Sequence, residues 1–240
     1  MTHQPLAAIE AVGLDLDGTL VDHRGAADAA VRRWVADRGW LAGGDPVEAW
    51  RTAEARHWAA FTAGRTTFAE QRRSRLRDFL PALGVAAEAH DADELLAEYD
   101  GHYRASWRAY ADAAPLLRTL RAAGLRVAVL TNGDPVQQVA KLRRTGLLDL
   151  LGGPGAVLAS GTLGVAKPDR RAFAALQERL GAPAGRTLFV GDDLGHDVGG
   201  ALGAGLRPVH LDRDGRGGTP DGVARVASLD AVRAWLAATS

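Results

Sequence analysis

No cysteine occurs in the 240 residues of this chain. Disulfides, thiol catalysis and cysteine–zinc sites are thereby excluded. Lysine is nearly absent as well: Lys141 and Lys167 are the only two among 29 basic residues, and the rest are arginine. Where a lysine does stand, a compact point charge replaces the planar guanidinium fork. Neither sign of charge is in excess, because 29 acidic residues balance the 29 basic ones. That balance gives no support to a nucleic-acid polymer or a membrane as partner, since both favour a cationic surface. No segment approaches the roughly 18 consecutive apolar residues of a membrane span. Met1 to Glu10 lacks the basic start and apolar stretch of a signal peptide. The expectation is a soluble cytoplasmic protein. Apolar residues make up 47% of the chain, enough to bury a core.

Five short runs rich in Val and Leu read as strands buried on both faces: Ala11–Leu16, Leu125–Leu130, Gly155–Ala159, Thr187–Val190 and Arg207–Leu211. Helical stretches separate the later ones, at Ala113–Ala123, Pro135–Thr145, Pro168–Leu180 and Leu194–Ala204. A short strand at Val223–Val226 and a helix from Ser228 to Ala238 would close the chain. Strand and helix alternating in this way predict right-handed crossovers and a Rossmann-like, doubly wound parallel sheet of the α/β class. The interval after Asp22 breaks the rhythm. It has no convincing strand, is punctuated by Gly39, Gly64, Pro81 and Gly84, and holds five of the six tryptophans. The expected division is therefore an α/β core of residues 1–21 and 112–240, with residues 22–111 as an inserted all-helical domain.

Chemistry concentrates at the strand ends. Asp15-Leu16-Asp17-Gly18-Thr19-Leu20 follows the first strand, and side chains two apart on extended backbone point the same way. Ligands of open parallel sheets bind beyond the carboxyl ends of the strands, where these acids fall. Two like charges so close call for a cation or a shared proton, and a hard divalent ion such as magnesium suits oxygen ligands beside phosphate. The second strand runs into Thr131-Asn132-Gly133 at a helix start, a place for an anion, although taken alone Thr131 or Asp134 reads better as the helix cap. Lys167-Pro168 opens the next helix, where a lysine either faces a phosphate oxygen or sits in solvent. The fourth strand ends in Gly191-Asp192-Asp193, with Asp197 following. Asp192 adds a carboxylate to the cluster, Asp193 reads equally as a cap, and Asp197 as a charge complementing a helix N-terminus.

Four motifs in this order resemble the haloacid dehalogenase-like superfamily over nearly the whole chain, with the insert matching the helical cap of one of its subclasses. The resemblance implies a magnesium-dependent phosphatase acting on a small phosphorylated metabolite. Asp15 would attack phosphorus and form an aspartyl-phosphate, and Asp17 would serve as general acid and then base. Magnesium would lie on Asp15, the backbone carbonyl of Asp17, and Asp192, with Asp197 behind them. Thr131, the Asn132 backbone and Lys167 would hold the phosphoryl oxygens. The departures are Leu14 before the nucleophile, where Phe is frequent, and Gly-Asp-Asp in the fourth motif in place of Gly-Asp-Ser.

Within the family, the founding dehalogenases lack an acid two residues after the nucleophile, so Asp17 argues against that reaction. The phosphonate-cleaving branch needs a cap lysine, and the insert has none. A sugar phosphomutase shares the core residues, and a non-catalytic phosphate-binding protein would be favoured by loss of Asp15, Asp17, Lys167 or Asp192, all of which are present. Gln137-Gln138 and Lys141-Leu142 after the second motif look like the branches that act on nucleotides or acyl-sugar phosphates. In the insert, the arginines of Gln71–Arg77 either meet a second anionic group or form a solvated helix flank. Arg51, Arg56, His57 and Trp58 are equally arguable. Oligomeric state is not readable.

Overall fold

The computed structural model describes residues 9–40 and 43–237. Residues 1–8 and Ala238, which belong to the expectations for the N-terminus and the last helix, lie outside the described residues. Contacts divide the chain into two compact units, Met1–His23 with Arg108–Ser240, and Arg24–Trp107.

The first unit is a six-stranded sheet in the order β3-β2-β1-β4-β5-β6, with every pairing parallel. Its strands are β1 (Ala11–Leu14), β2 (Arg126–Thr131), β3 (Val157–Ala159), β4 (Thr187–Gly191), β5 (Arg207–Leu211) and β6 (Ala224–Val226). Around it lie α5 (Ala113–Ala122), α6 (Pro135–Arg144), the short α7 (Ser160–Leu163), α8 (Arg170–Leu180), the short α9 (Gly200–Gly203) and α10 (Leu229–Ala237). This is the doubly wound α/β architecture expected from the alternation of elements. β1 is central and fully buried, with Leu14 opposite Val129 on one side and Val190 on the other. One face of the sheet packs Leu116, Leu117 and Leu120 of α5 with Val232 and Leu236 of α10. The other packs Phe173, Leu176 and Leu180 of α8 against Phe189. Each such side chain contributes about 1.5–3 kcal/mol by leaving water. Gly13 lets that second face close up: a Cβ there would sit 2.6 Å from Leu176 Cδ2 and 2.7 Å from Phe189 Cδ2.

Several boundaries differ from the sequence expectation for local reasons. β1 stops at Leu14, and the Asp15 amide makes one last bond to Val190 O at 2.9 Å before the chain turns. The run Gly155–Ala159 shortens to β3, because Pro154–Ala156 forms a 3₁₀ turn. α8 begins at Arg170, since Asp169 caps it by accepting from Arg171 N at 2.8 Å. The expected helix Leu194–Ala204 is a wide π-turn over Leu194–Gly199 running into α9. There Val198 N reaches back five residues to Asp193 O at 3.1 Å. Such bulges are frequent at functional sites.

The second unit carries most of α1 (His23–Asp37), with α2 (Pro46–Thr62), α3 (Phe68–Ala82) and α4 (Ala92–Ala105). Aromatic side chains make its core: Trp34 stacks on Phe79 at 5.8 Å, and Trp50 lies 4.4 Å from Tyr99. Leu76, Phe79 and Leu80 of α3 and Leu83 at its C-terminal cap are buried along one stripe. Three of the arginines flanking that stripe have carboxylate partners within the unit, Arg72 with Asp100, Arg73 with Asp93, and Arg75 with Glu54, while Arg77 donates to Ser74 Oγ at 3.2 Å. Arg51 pairs with Asp28, and both Arg56 and His57 with Asp78, while Trp58 is exposed. Among the described residues, no helix is long and apolar enough to cross a membrane.

Candidate active site

At the carboxyl end of β1 the chain makes a tight turn. Leu20 N and Val21 N both donate to Leu16 O at 2.9 Å, and Gly18 N donates to Val21 O at 2.9 Å. Gly18 has φ +89°, a conformation that only glycine enters cheaply. A Cβ at this position would also lie 2.6 Å from Cγ of Asp192. Gly18 therefore makes the turn and lets β4's acid approach β1's.

Asp15 is buried, and Lys167 Nζ donates to its Oδ1 at 2.5 Å. Its Oδ2 is buried with no hydrogen-bond partner. Lys167, buried as well, also donates to Asp197 Oδ1 at 2.6 Å. Carboxylate oxygens of Asp15, Asp192 and Asp197 all lie within 4.8 Å of one another. Asp15 and Asp197 thus share one lysine, with Asp192 alongside. Burial pushes the Asp15 carboxyl up to about 8, with Asp197 and Asp192 adding to the rise and Lys167 opposing it. Asp192 is raised to about 7, first by desolvation and then by the Asp197 charge. Burial works against the charged form of Lys167, but Asp15 and Asp197 outweigh it and hold the ammonium above the ordinary lysine value. A surplus of negative charge, hard oxygen donors and one orphaned carboxylate oxygen fit a divalent cation.

The Asp17 carboxylate is not part of that cluster. Lys141 Nζ donates to both of its oxygens, at 2.6 and 2.8 Å, and Gln138 Nε2 donates to Oδ2 at 3.0 Å. Burial raises its pKa, but the charges of Lys141 and His23 and the two donors hold it below the ordinary aspartate value.

Thr131 is buried at the end of β2, and its Oγ1 accepts from Gln138 Nε2 at 2.8 Å. The cap of α6 is Asp134, which accepts from Gln137 N at 2.8 Å, so Thr131 is not the capping residue. Asn132 clamps the backbone of Lys167: its Oδ1 accepts from Lys167 N at 2.8 Å and its Nδ2 donates to Lys167 O at 3.0 Å. Asp193 is a cap, accepting from Gly195 N at 2.8 Å and His196 N at 2.6 Å. Asp197 accepts from Asp193 N at 3.1 Å as well as from Lys167.

The folded chain thus joins Asp15, Lys167, Asp192 and Asp197 in one cluster and ties Asp17 to Thr131 through Gln138. Sequence reasoning did not foresee the contacts of Gln138 and Lys141 with Asp17, nor the Asn132 side-chain clamp. A signal for Lys141 was available in its rarity, and in the helical spacing that puts it on the same buried face as Gln138 and Leu142.

Comparison with known proteins gives the family of the chain. The family model described as haloacid dehalogenase-like hydrolase matches residues 9–205. The chain is 37% identical over 183 residues to Phosphatase MT3486 of Mycobacterium tuberculosis (strain CDC 1551 / Oshkosh), covering 74% of this chain and 80% of that protein. Its fold is like that of the HAD-hydrolase YfnB from Bacillus subtilis, with a TM-score of 0.80 over 95% of this chain and 98% of that one. At 24% identity this is a likeness of fold alone. A 2-haloacid dehalogenase from Pseudomonas syringae pv. Tomato DC3000 is 27% identical, with a TM-score of 0.62 over 97% of this chain and 100% of that one. A match across most of the length, with acids at the rims of β1 and β4 and a lysine between them, makes the chain a member of the haloacid dehalogenase-like hydrolases.

Proposed function

We propose that the protein is a magnesium-dependent phosphatase that hydrolyses a small phosphate monoester through an aspartyl-phosphate on Asp15. The observation that carries the reading is the environment of Asp15, with one oxygen on Lys167, the other free, and two further carboxylates alongside. Similarity to a relative named a phosphatase supports it.

In this reading a carboxylate oxygen of Asp15 bonds to phosphorus as the ester P–O bond breaks. Asp17, held as a carboxylate by Lys141, takes up the proton of the bound phosphate monoanion and gives it to the departing oxygen. Water then attacks the phosphorus of the aspartyl-phosphate while Asp17 takes the proton back, and phosphate leaves with Asp15 restored. Lys167 and the Thr131 hydroxyl, with the Asn132 backbone, hold the phosphoryl oxygens, and Asn132 fixes the backbone that carries Lys167. Asp15, the Asp17 carbonyl and Asp192 would hold magnesium, with Asp197 supporting Lys167. When bound, magnesium neutralises carboxylate and phosphoryl charge, the main demand of phosphoryl transfer. The helical unit is read as a cap domain carrying specificity.

Nitrophenol release from an aryl phosphate, with magnesium and then with chelator, tests the activity. Asp15→Asn should abolish turnover with an unchanged circular dichroism spectrum. Activity close to the unsubstituted protein in that variant would remove the covalent mechanism, and halide release from a 2-haloacid in place of phosphate release would move the chain to the dehalogenases.

A further inference from the structure

The two lysines of this arginine-rich chain are divided between the two acids of Asp15-Leu16-Asp17. Lys167 serves Asp15, and Lys141 serves Asp17. Lys141 is 1% exposed, and a lysine buried to that degree is costly unless it is paired. Its ammonium meets both oxygens of one carboxylate, and the Gln138 amide meets one of the same oxygens. Three contacts on two oxygens leave the Asp17 side chain little freedom to rotate.

The geometry of α6 explains how this clamp is delivered. Asp134 caps the helix and Pro135 occupies its first turn, so α6 starts immediately after the Thr131-Asn132-Gly133 turn. Gln138 and Lys141 are three residues apart and therefore share a face, which is buried. Gln138 Nε2 also lies 2.8 Å from Thr131 Oγ1 and 3.3 Å from Asn132 O. One amide thus links Asp17 to the hydroxyl assigned to the phosphoryl oxygens and to the carbonyl of the residue that follows it. The position of the acid is keyed to the position of the group on which it acts.

We propose that Lys141, with Gln138 beside it, is a positioning residue that holds the Asp17 carboxylate where it exchanges its proton with the leaving oxygen. The inference rests on the reading of Asp17 as acid and base. It assigns to Lys141 a function apart from joining α6 to the β1 turn. A purely structural ion pair would affect kcat/KM for all substrates alike. A misplaced acid lowers kcat/KM only for leaving groups that need a proton, the later base step being common to every substrate and outside kcat/KM.

The test compares kcat/KM for a simple alkyl phosphate with that for 2,4-dinitrophenyl phosphate, whose leaving group departs unprotonated. General acid catalysis contributes roughly 10²–10⁴-fold, and a displacement of about 1 Å can cost on the order of 10²-fold. Lys141→Met should therefore lower the alkyl value by about 10²-fold or more, and the dinitrophenyl value by only about 5-fold. Lys141→Arg, which keeps the charge, should recover part of the alkyl rate. Gln138→Leu should give a smaller split in the same sense, and it decides the matter if Lys141→Met does not fold. Equal losses on both esters in Lys141→Met and Gln138→Leu overturn the proposal. Asp17→Asn separates the two levels of inference. If it shows the split and the Lys141 and Gln138 variants do not, only the positioning role is lost. If Asp17→Asn shows no split, the reading of Asp17 fails and the positioning role with it.

Discussion

Replacing Gly18 by alanine tests whether the approach of β4's acid to β1's turn matters. Two costs can be worked from the geometry. Gly18 has φ +89°, and an L-residue held in the left-handed region costs about 1–2 kcal/mol. The new Cβ would stand 2.6 Å from Asp192 Cγ, where carbons normally keep about 3.5 Å or more. The Asp192 carboxylate must therefore retreat by about 1 Å, because the turn is fixed by the bonds from Leu20, Val21 and Gly18. A shift of that size at a reacting centre costs on the order of 10²-fold in rate. Gly18→Ala should thus melt a few degrees lower, at roughly 2–4 °C per kcal/mol. Its kcat/KM should fall about 10²-fold, and half-saturation should need about tenfold more magnesium. A magnesium titration of phosphate release, alongside a melt monitored by circular dichroism, reads all three. Unchanged magnesium dependence and activity within about twofold would refute the claim that this glycine exists to admit Asp192.

Two further outcomes follow from the same site. Asn132→Ala removes two hydrogen bonds to the Lys167 backbone, together worth about 1–3 kcal/mol, and should lower both the denaturation midpoint and kcat, measured on the same preparation. Magnesium should stabilise the protein more at pH 8 than at pH 6. Asp15 and Asp192, raised to about 8 and about 7, bind more protons folded than unfolded across pH 4–8. Without metal, their contribution therefore makes stability fall as pH rises through that window, and at pH 6 the cation must displace those protons. A magnesium-induced rise in melting temperature that is equal at both pH values would contradict this.

Much of the fold was legible because its signals are local. Buried parallel strands need continuous Val- and Leu-rich runs, and the turn after β1 needs Gly18. The boundary errors arose where a single residue acted against the pattern. Pro154 shortened β3, Asp169 delayed α8, and Leu194–Gly199 wound as a π-turn behind the Asp193 cap. Thr131 could be read as a cap or as part of an anion site, and Asp193 as a cap or as a further acid of the cluster, and only the hydrogen bonds of the folded chain separate the two.

By itself, the sequence determined the α/β alternation, the all-helical character of the tryptophan-rich insert, and the set of acids and lysine that could do this chemistry. Such properties depend on residue type and on spacing along one strand or helix. Tertiary structure alone decided which charge answers which. Lys167 could have paired with any of several acids, and Lys141 carries nothing in its neighbours that names Asp17, 124 residues away. Partners of that kind are set by which strand ends the sheet order places side by side, and no local pattern encodes that order.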